Sequence, residues 1–402
     1  MSFQQGLSGL NAAAKGLDAV SNNVSNAATV GFKSASAQFA DVFAASIAGG
    51  GSGQIGIGVN LSQVKQAFTQ GNISVTNNPL DVAINGGGFF RMSDNGAITY
   101  TRNGQFLVNK DGYVVNSAGS HLTGYVANAA GIIVPSSPTD ILISNADLVP
   151  NATTTGAIGL NLDSRETTPP AFVYTDPTTY NSSTAMTVYD SLGNSHVMTL
   201  YFRKTAANAW QVYTGLDGTA PTPIGGTALT FTSSGAVSGG GTIATSFGIS
   251  NGATTPLAVT LDLTSATQFG STFGVNSLTQ DGYTSGRLSG LSIADNGVIQ
   301  GRYSNGQSRD LGQIVLANFA NPNGLQSLGG NQWSETAASG QPLVGEPNSG
   351  SLGALQSAAV EEANIDLTAE LVNMITAQRN YQANAQSIKT QDAVMQTLVN
   401  LR

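Results

Sequence analysis

Cysteine is missing from all 402 residues, which removes disulfides, thiolate metal sites and cysteine nucleophiles from consideration. Charge is scarce as well. Asp, Glu, Lys and Arg make up 9% of the chain, against about a quarter in ordinary globular domains. The formal net charge of −8 is spread thinly, with no basic stripe for nucleic acid and no polybasic patch for a membrane surface. Histidine occurs only at His121 and His196, and no elbow motif or paired base accompanies either. Each is expected to be a surface or strand residue rather than part of a Ser/His/Asp site. No apolar run approaches the roughly eighteen residues of a membrane span. The opening residues lack the charged start, apolar block and small-residue cleavage site of a secretory signal. The expectation is a protein that stays in the cytoplasm or leaves by a route independent of such a signal.

What is present in quantity is glycine, 49 residues, accompanied by many Thr, Ser and Asn. A weakly charged, Gly-rich surface suits a protein packed against copies of itself, and the length allows two to four domains. The stretch from Val360 to Arg402 reads as one long amphipathic helix. Leu367, Leu371, Met374, Tyr381, Ala385, Ile388, Met395 and Val399 recur at steps of three and four, as in a coiled-coil seam. Gln378 and Asp392 are polar interruptions of the kind that fix register and partner number. A single helix of this kind does not hold itself together, so it is expected to be loose in the monomer and ordered on assembly. Near the other terminus Phe3, Leu7, Leu10, Ala14, Leu17 and Val24 repeat the same spacing, with Ser21 as the polar interruption.

Between the helices the period changes to two. Leu80 to Asn85 alternates as a half-buried strand, Gly86-Gly87-Gly88 turns it, and Asp94-Asn95-Gly96, Asn103-Gly104 and Asp111-Gly112 read as hairpin joints. The same grammar returns at Asp295-Asn296-Gly297 and Ser304-Asn305-Gly306, followed by the apolar strand Gln313 to Ala317. The expected fold class is α+β and multidomain, with N- and C-terminal coiled-coil helices and two mainly-β domains, the outer inserted into the inner. The expected division is a terminal helical core from residues 1–33 and 360–402 and a connecting segment 34–70. A split β-rich domain then takes 71–144 and 284–359, and an inserted all-β barrel or sandwich takes 145–283. The insert Gly49-Gly50-Gly51-Ser52-Gly53 reads as a flexible loop.

Constellations for catalysis are lacking. Gly86-Gly87-Gly88 is followed by Phe89-Phe90 rather than Gly-Lys-Ser/Thr, and Gly56-Ile57-Gly58 lacks the third glycine of a dinucleotide fingerprint. Glu361 and Glu362, adjacent in sequence, do not face one metal and are read as charges favouring the first turn of the final helix. No catalytic, cofactor-binding or metal-binding residue is expected, and no small-molecule ligand. On residues alone two readings stand: an open helical polymer, and a secreted β-rich adhesin whose helices trimerise it.

The segment Leu7-Ser8-Gly9-Leu10-Asn11-Ala12-Ala13, followed by Asn22-Asn23-Val24-Ser25-Asn26-Ala27-Ala28-Thr29-Val30-Gly31-Phe32-Lys33, resembles the N-terminal signature of bacterial flagellar rod and hook proteins. The run Val372 to Asn384, with Gln378, Arg379 and Tyr381, resembles their C-terminal signature. Leu80 to Ile84, Gly88-Phe89-Phe90, Tyr100 to Phe106 and Leu122 to Tyr125 are similar to segments of the same family. The length and the large insert resemble the hook member more than the shorter distal rod protein. This resemblance implies a homopolymer, a helical tube outside the cell that acts as a universal joint between motor and filament. It also implies export through the flagellar type III apparatus without cleavage, and rod, hook cap and hook-filament junction proteins as partners. The terminal helices would form the inner tube.

Overall fold

The structure, a computed structural model, describes residues 2–42, 56–128, 131–223 and 228–400, with the backbone alone for residues 2, 222, 223 and 398–400. The Gly49 to Gly53 insert lies outside the described residues. The chain divides into two compact units. Unit 1 takes Met1–Ser144, Gly290–Gly301 and Arg309–Arg402; unit 2 takes Asn145–Ser289 and Arg302–Ser308. Both are mostly β, and two long helices belong to unit 1. Among the described residues no helix is long and apolar enough to cross a membrane.

In unit 1, helix α1 spans Ser2–Ser25 and helix α2 spans Leu367–Asn400. Strands β1 (Ala35–Val42) and β2 (Gly58–Gln66) form a separate antiparallel ribbon beside α1, with a register shift between Gln38 and Phe39. The next strands of unit 1 are β3 (Ile73–Val75), β4 (Val82–Asn85), β5 (Phe89–Asp94) and β6 (Ala97–Thr101), the last two in a 13-stranded sheet. β5 and β6 pair from Phe90 opposite Thr101 to Asp94 opposite Ala97. Asn95 (φ 50°) and Gly96 (φ 94°) close them, the doubly left-handed two-residue turn that matches strand twist.

Sequence-distant strands extend that sheet, as does His121–Val126, which pairs with β5. Leu316–Asn318 pairs with β5, and Gln332–Ser334 pairs with β6, Trp333 opposite Tyr100. Their inward side chains meet in one aromatic core of Phe89, Tyr100, Phe319 and Trp333. Its rings pack edge to face, Tyr100 on Phe319 at 4.8 Å and Phe89 on Trp333 at 5.8 Å between centroids, which suits the aromatic quadrupole.

Two expectations need correction here. The final helix begins at Leu367, not Val360. Residues Ala359–Glu361 form a strand paired with β3, because Ala359, Val360 and Glu361 are all buried against the body. Asp366 is the cap that starts α2: its carboxylate accepts the backbone N–H of Thr368 at 2.9 Å and of Ala369 at 3.2 Å. The second correction concerns Asn103-Gly104, which joins no hairpin. The Val82 N–H donates to the Gly104 carbonyl at 2.9 Å, and a Cβ at Gly104 would lie 1.7 Å from the Val82 oxygen. That glycine serves a backbone crossing rather than a turn.

Unit 2 is a pair of sheets sharing one core. One sheet runs in the order Thr242–Phe247, Leu257–Asp262, Thr155–Asp163 and Thr267–Phe269, with Gly274–Gln280 also on Thr155–Asp163. The other runs Ser182–Tyr189, Ser195–Ala206, Ala209–Leu216, Leu229–Phe231 and Val237–Gly239. Ile158, Leu160, Leu162, Phe202, Trp210 and Leu261 are wholly buried between them. Along Ser195–Ala206 the inward row is Met198, Leu200, Phe202 and then Lys204. The lysine fits that row because its ammonium donates to the carbonyls of Ser164 (2.6 Å) and Glu166 (2.7 Å), which satisfies a charge taken out of water.

Candidate assembly interface

α1 and α2 lie side by side and antiparallel. A Cβ at Gly6 would meet Ile388 at 3.0 Å and one at Gly9 would meet Asn384 at 2.8 Å, while Asn23 reaches Glu370 further along. Glycine at these positions lets the two backbones approach. Ala12, Ala13 and Gly16 of α1 and Ala377, Ala383 and Asn384 of α2 line an open groove of about 500 Å³, walled by Phe39 and Val59 of the ribbon.

The structure sorts the expected seam residues into two groups. Leu10, Ala14, Leu17 and Val24 on α1, and Met374, Ala385 and Ile388 on α2, are half-buried within the chain. Phe3, Leu7, Leu367, Leu371, Gln378, Tyr381 and Met395 are exposed, as is Asp392. The side chain of Val399 lies outside the described residues. The periodicity did not mark Gly6 and Gly9, because a pattern search weights large apolar residues and the helix contact here uses small ones. Glu370, Ala377 and Asn384 were likewise passed over as polar or small, yet they share the half-buried row.

The N-terminal motif residues hold the segment after α1 in place. Asn23 is buried and exchanges two hydrogen bonds with the backbone of Ala35, each 2.9 Å, fixing where β1 begins. Asn26 donates to the Asn22 carbonyl at 2.9 Å and accepts from Thr29 at 3.2 Å, satisfying groups the helix end leaves open. Asn22 is exposed and Ala27 half-buried. The helix ends at Ser25, well before Gly31, whose backbone is left-handed (φ 71°). Its N–H donates to the Glu361 carbonyl at 2.7 Å, and a Cβ there would lie 2.5 Å from the Asn103 nitrogen. Phe32 is buried beside it. In the C-terminal motif, Arg379, like Gln378 and Tyr381, is exposed.

Lys33 enters a buried charge cluster. Its Nζ donates to Glu361 Oε1 at 2.6 Å and to the Thr69 carbonyl at 2.8 Å. Arg102 donates to Glu361 Oε2 at 3.1 Å and to the Gly86 carbonyl at 2.9 Å, and the Gly71 N–H donates to Oε1 at 2.8 Å. Glu361 is 1% exposed. It is therefore no helix-turn charge: the carboxylate is the hub of two cations. Burial pulls the Lys33 pKa below its ordinary value, the Arg102 charge adds to that, and Glu361 opposes it. Burial likewise pulls Arg102 down against Glu361. The sequence missed this cluster because Glu361 lies 328 positions from Lys33 and 259 from Arg102. The available signal was Lys33 and Arg102 recurring inside motifs of a chain so poor in charge.

The two histidines lie in different units, and each is hydrogen-bonded to a carboxylate. His121 stacks on Tyr113, and its Nδ1 lies 2.7 Å from Asp140. In unit 2, His196 sits between carboxylates, Nδ1 at 2.6 Å from Asp217 and Nε2 at 3.3 Å from Asp190, so both nitrogens are engaged. The Asp217 hydrogen bond raises the His196 pKa above 6.5 against burial. Burial pushes Asp190 and Asp217 up, but hydrogen bonds outweigh it and hold both below 3.8; Asn194 and Asn251 supply them at Asp190, His196 and the Val197 N–H at Asp217. The histidine contribution is complete below 6.5 and is lost as pH rises through the folded value. The carboxylate contributions are present above 3.8 and are lost as pH falls. Unit 2 should be most stable between these limits. In a Trp333→Phe background, thermal unfolding followed by Trp210 fluorescence should show His196→Gln flattening the alkaline side of the profile. An unchanged alkaline slope would refute the assignment.

Four family models match the chain. Flagella basal body rod protein covers residues 3–33, and Flagellar hook protein FlgE/F/G D1 domain covers 83–149. Flagellar basal body protein FlaE D2 domain covers 161–283, and Flagellar basal body rod FlgEFG protein C-terminal covers 356–401. The flagellar hook protein FlgE of Salmonella typhimurium is 45% identical over 411 residues, covering 100% of both chains. That of Escherichia coli is 45% identical over 412 residues, again covering 100% of both. The flagellar hook protein FlgE2 of Helicobacter pylori has a similar fold in its crystal structure, with a TM-score of 0.52 at 14% identity over 72% of this chain and 99% of that one. Identity at this level along the whole length places the chain in the flagellar hook protein FlgE family.

Proposed function

We propose that this structural subunit of the flagellar hook assembles through α1 and α2 into a curved, flexible tube that carries motor torque to the filament as a universal joint. The observation that carries the reading is the surface those helices leave uncovered. Phe3, Leu7, Leu371 and Met395 are exposed on a helix pair already anchored to the body through Asn23 and the Lys33–Glu361 contact. Apolar rows of this kind are buried by neighbouring copies, and interdigitated side chains resist sliding and so transmit torque. The terminal segments act as a coiled-coil core of the tube, with the β-rich domains, one inserted in the other, as the layers outside it. Chemical turnover has no part in this role. The proposed partners are rod, hook cap and hook-filament junction proteins, and the flagellar type III export apparatus, which would deliver the chain outside the cell without cleavage.

Electron microscopy of the full chain beside one lacking residues 2–25 and 367–402 tests this. Tubes are expected from the full chain and a folded monomer from the trimmed one. Discrete oligomers from both would overturn the reading. The cut must spare Lys33 and Glu361: trimming at 33 and 360 would strip the carboxylate from buried Arg102.

A further inference from the structure

His196 stands between two carboxylates from different segments of unit 2. Its Nδ1 faces Asp217, in the turn after Ala209–Leu216, and its Nε2 faces Asp190, in the turn after Ser182–Tyr189. Asp190 Oδ2 also accepts the side-chain amide of Asn251 at 2.6 Å, from the loop that joins Thr242–Phe247 to Leu257–Asp262. The contacts Asp217–His196–Asp190–Asn251 therefore run from one sheet of unit 2 to the other. They lie beside an open cavity of about 370 Å³, lined by Asp217, Thr219 and Ala220 from one sheet and by Phe247, Ile249 and Asn251 from the other. Asp217 and Asp190 are the charged groups that act on the imidazole.

Both ring nitrogens donate only in the imidazolium; the neutral ring has one N–H and one lone pair. Loss of the proton must break one of the two contacts. Asp190 is wholly buried, its Oδ1 accepting the backbone N–H groups of Leu192 and Asn194 and its Oδ2 the side chains of Asn194 and Asn251. A lone pair turned toward that fixed charge would be repelled in a site of low dielectric. The Asp217 side chain is 49% exposed, so water can take over its hydrogen bond. The remaining N–H therefore stays on Nε2, and Nδ1 turns its lone pair on Asp217. Beyond a backbone N–H to Val197, the turn that Asp217 begins is held by bonds within itself, from Thr219 to the Leu216 carbonyl. Further in, the hydroxyls of Thr214 and Thr245 join the two sheets at 3.2 Å without the histidine, which confines the change to the rim.

We propose that His196 is a latch worked by its proton: charged, it ties Asp217 to Asp190 and through it to the facing sheet; neutral, it keeps Asp190 and releases the rim of the cavity at residues 217–220. The Asp217 hydrogen bond holds the proton on past 6.5 against burial, so the rim opens as pH rises through the folded value. Unit 2 stays folded on both sides of that step.

The full chain labelled in its histidine nitrogens tests this by NMR. It contains two imidazoles, and the signals missing from His121→Gln leave those of His196. On raising the pH the ring should pass from both nitrogens protonated to the tautomer with its proton on Nε2. The Val197 N–H donates to Asp217 Oδ1 at 2.8 Å. Its hydrogen exchange, corrected for base catalysis, should rise roughly tenfold through the same step, the scale of one charge-assisted hydrogen bond. The Asn194 N–H, which donates to Asp190 at 2.9 Å, should show no such rise. In His196→Gln the step at Val197 should vanish. A neutral ring with its proton on Nδ1, or a titration that leaves Val197 exchange flat, overturns the proposal; both are read on the unsubstituted chain, so they decide it even if His196→Gln fails to fold.

Discussion

Glu361→Ala should lower the stability of unit 1 by about 3–5 kcal/mol, the cost of breaking a buried ion pair by removing one partner. Lys33 and Arg102 would keep their places in the interior with no carboxylate between them, and the Gly71 N–H would lose its acceptor as well. Glu361→Gln retains the volume and an acceptor oxygen, and should lose less. The two tryptophans make the measurement specific, because Trp333 lies in unit 1 and Trp210 in unit 2. In a Trp210→Phe background, denaturant unfolding followed by Trp333 should shift its midpoint strongly on Glu361→Ala. In a Trp333→Phe background, the Trp210 transition should not move. A loss below about 1 kcal/mol, the range of exposed pairs, would mean the cluster is wet and its charges are solvated.

Gly31→Ala is the second large effect, expected at about 2–5 kcal/mol. Left-handed backbone costs an L-residue roughly 1–2 kcal/mol, and overpacking adds about 1–3. The added methyl would sit 2.5 Å from the Asn103 nitrogen and 2.6 Å from the Arg102 carbonyl carbon, both backbone atoms that cannot rotate away. Gly96→Ala separates the two contributions: Gly96 has φ 94°, and a Cβ there would meet nothing within 4 Å. Its cost should be the conformational part alone. If the two substitutions prove equal by thermal unfolding, the close approach at Gly31 contributes nothing.

Local patterns in the sequence were legible where local chemistry decides the structure. The step of three and four located both helices, and the Asp94-Asn95-Gly96 turn was readable because its backbone angles demand those residues. Boundaries failed where a distant strand competes. Val360 and Glu361 continue a helical pattern on paper, but β3 claims their backbone, and Asp366 supplies a better start for α2. The helix face was misjudged for a related reason: Gly6 and Gly9 carry no hydrophobic signal, and only the approach of α2 gives them a role. Asn103-Gly104 resembles a turn locally and is a crossing because Val82 lies against it. The charge cluster was beyond any local rule, since its members are joined only by the fold.

That joining sets an order of events. Glu361 comes 328 residues after Lys33; the strand that carries it closes on β3, and Ala354–Ser357 closes on β4. A chain synthesised N-terminus first holds β3, β4, Lys33 and Arg102 without these partners until nearly its whole length has been made. Contacts this far apart in sequence form late, after a long loop has been closed. The body of unit 1 is therefore unfinished until the strand just before α2 is in place.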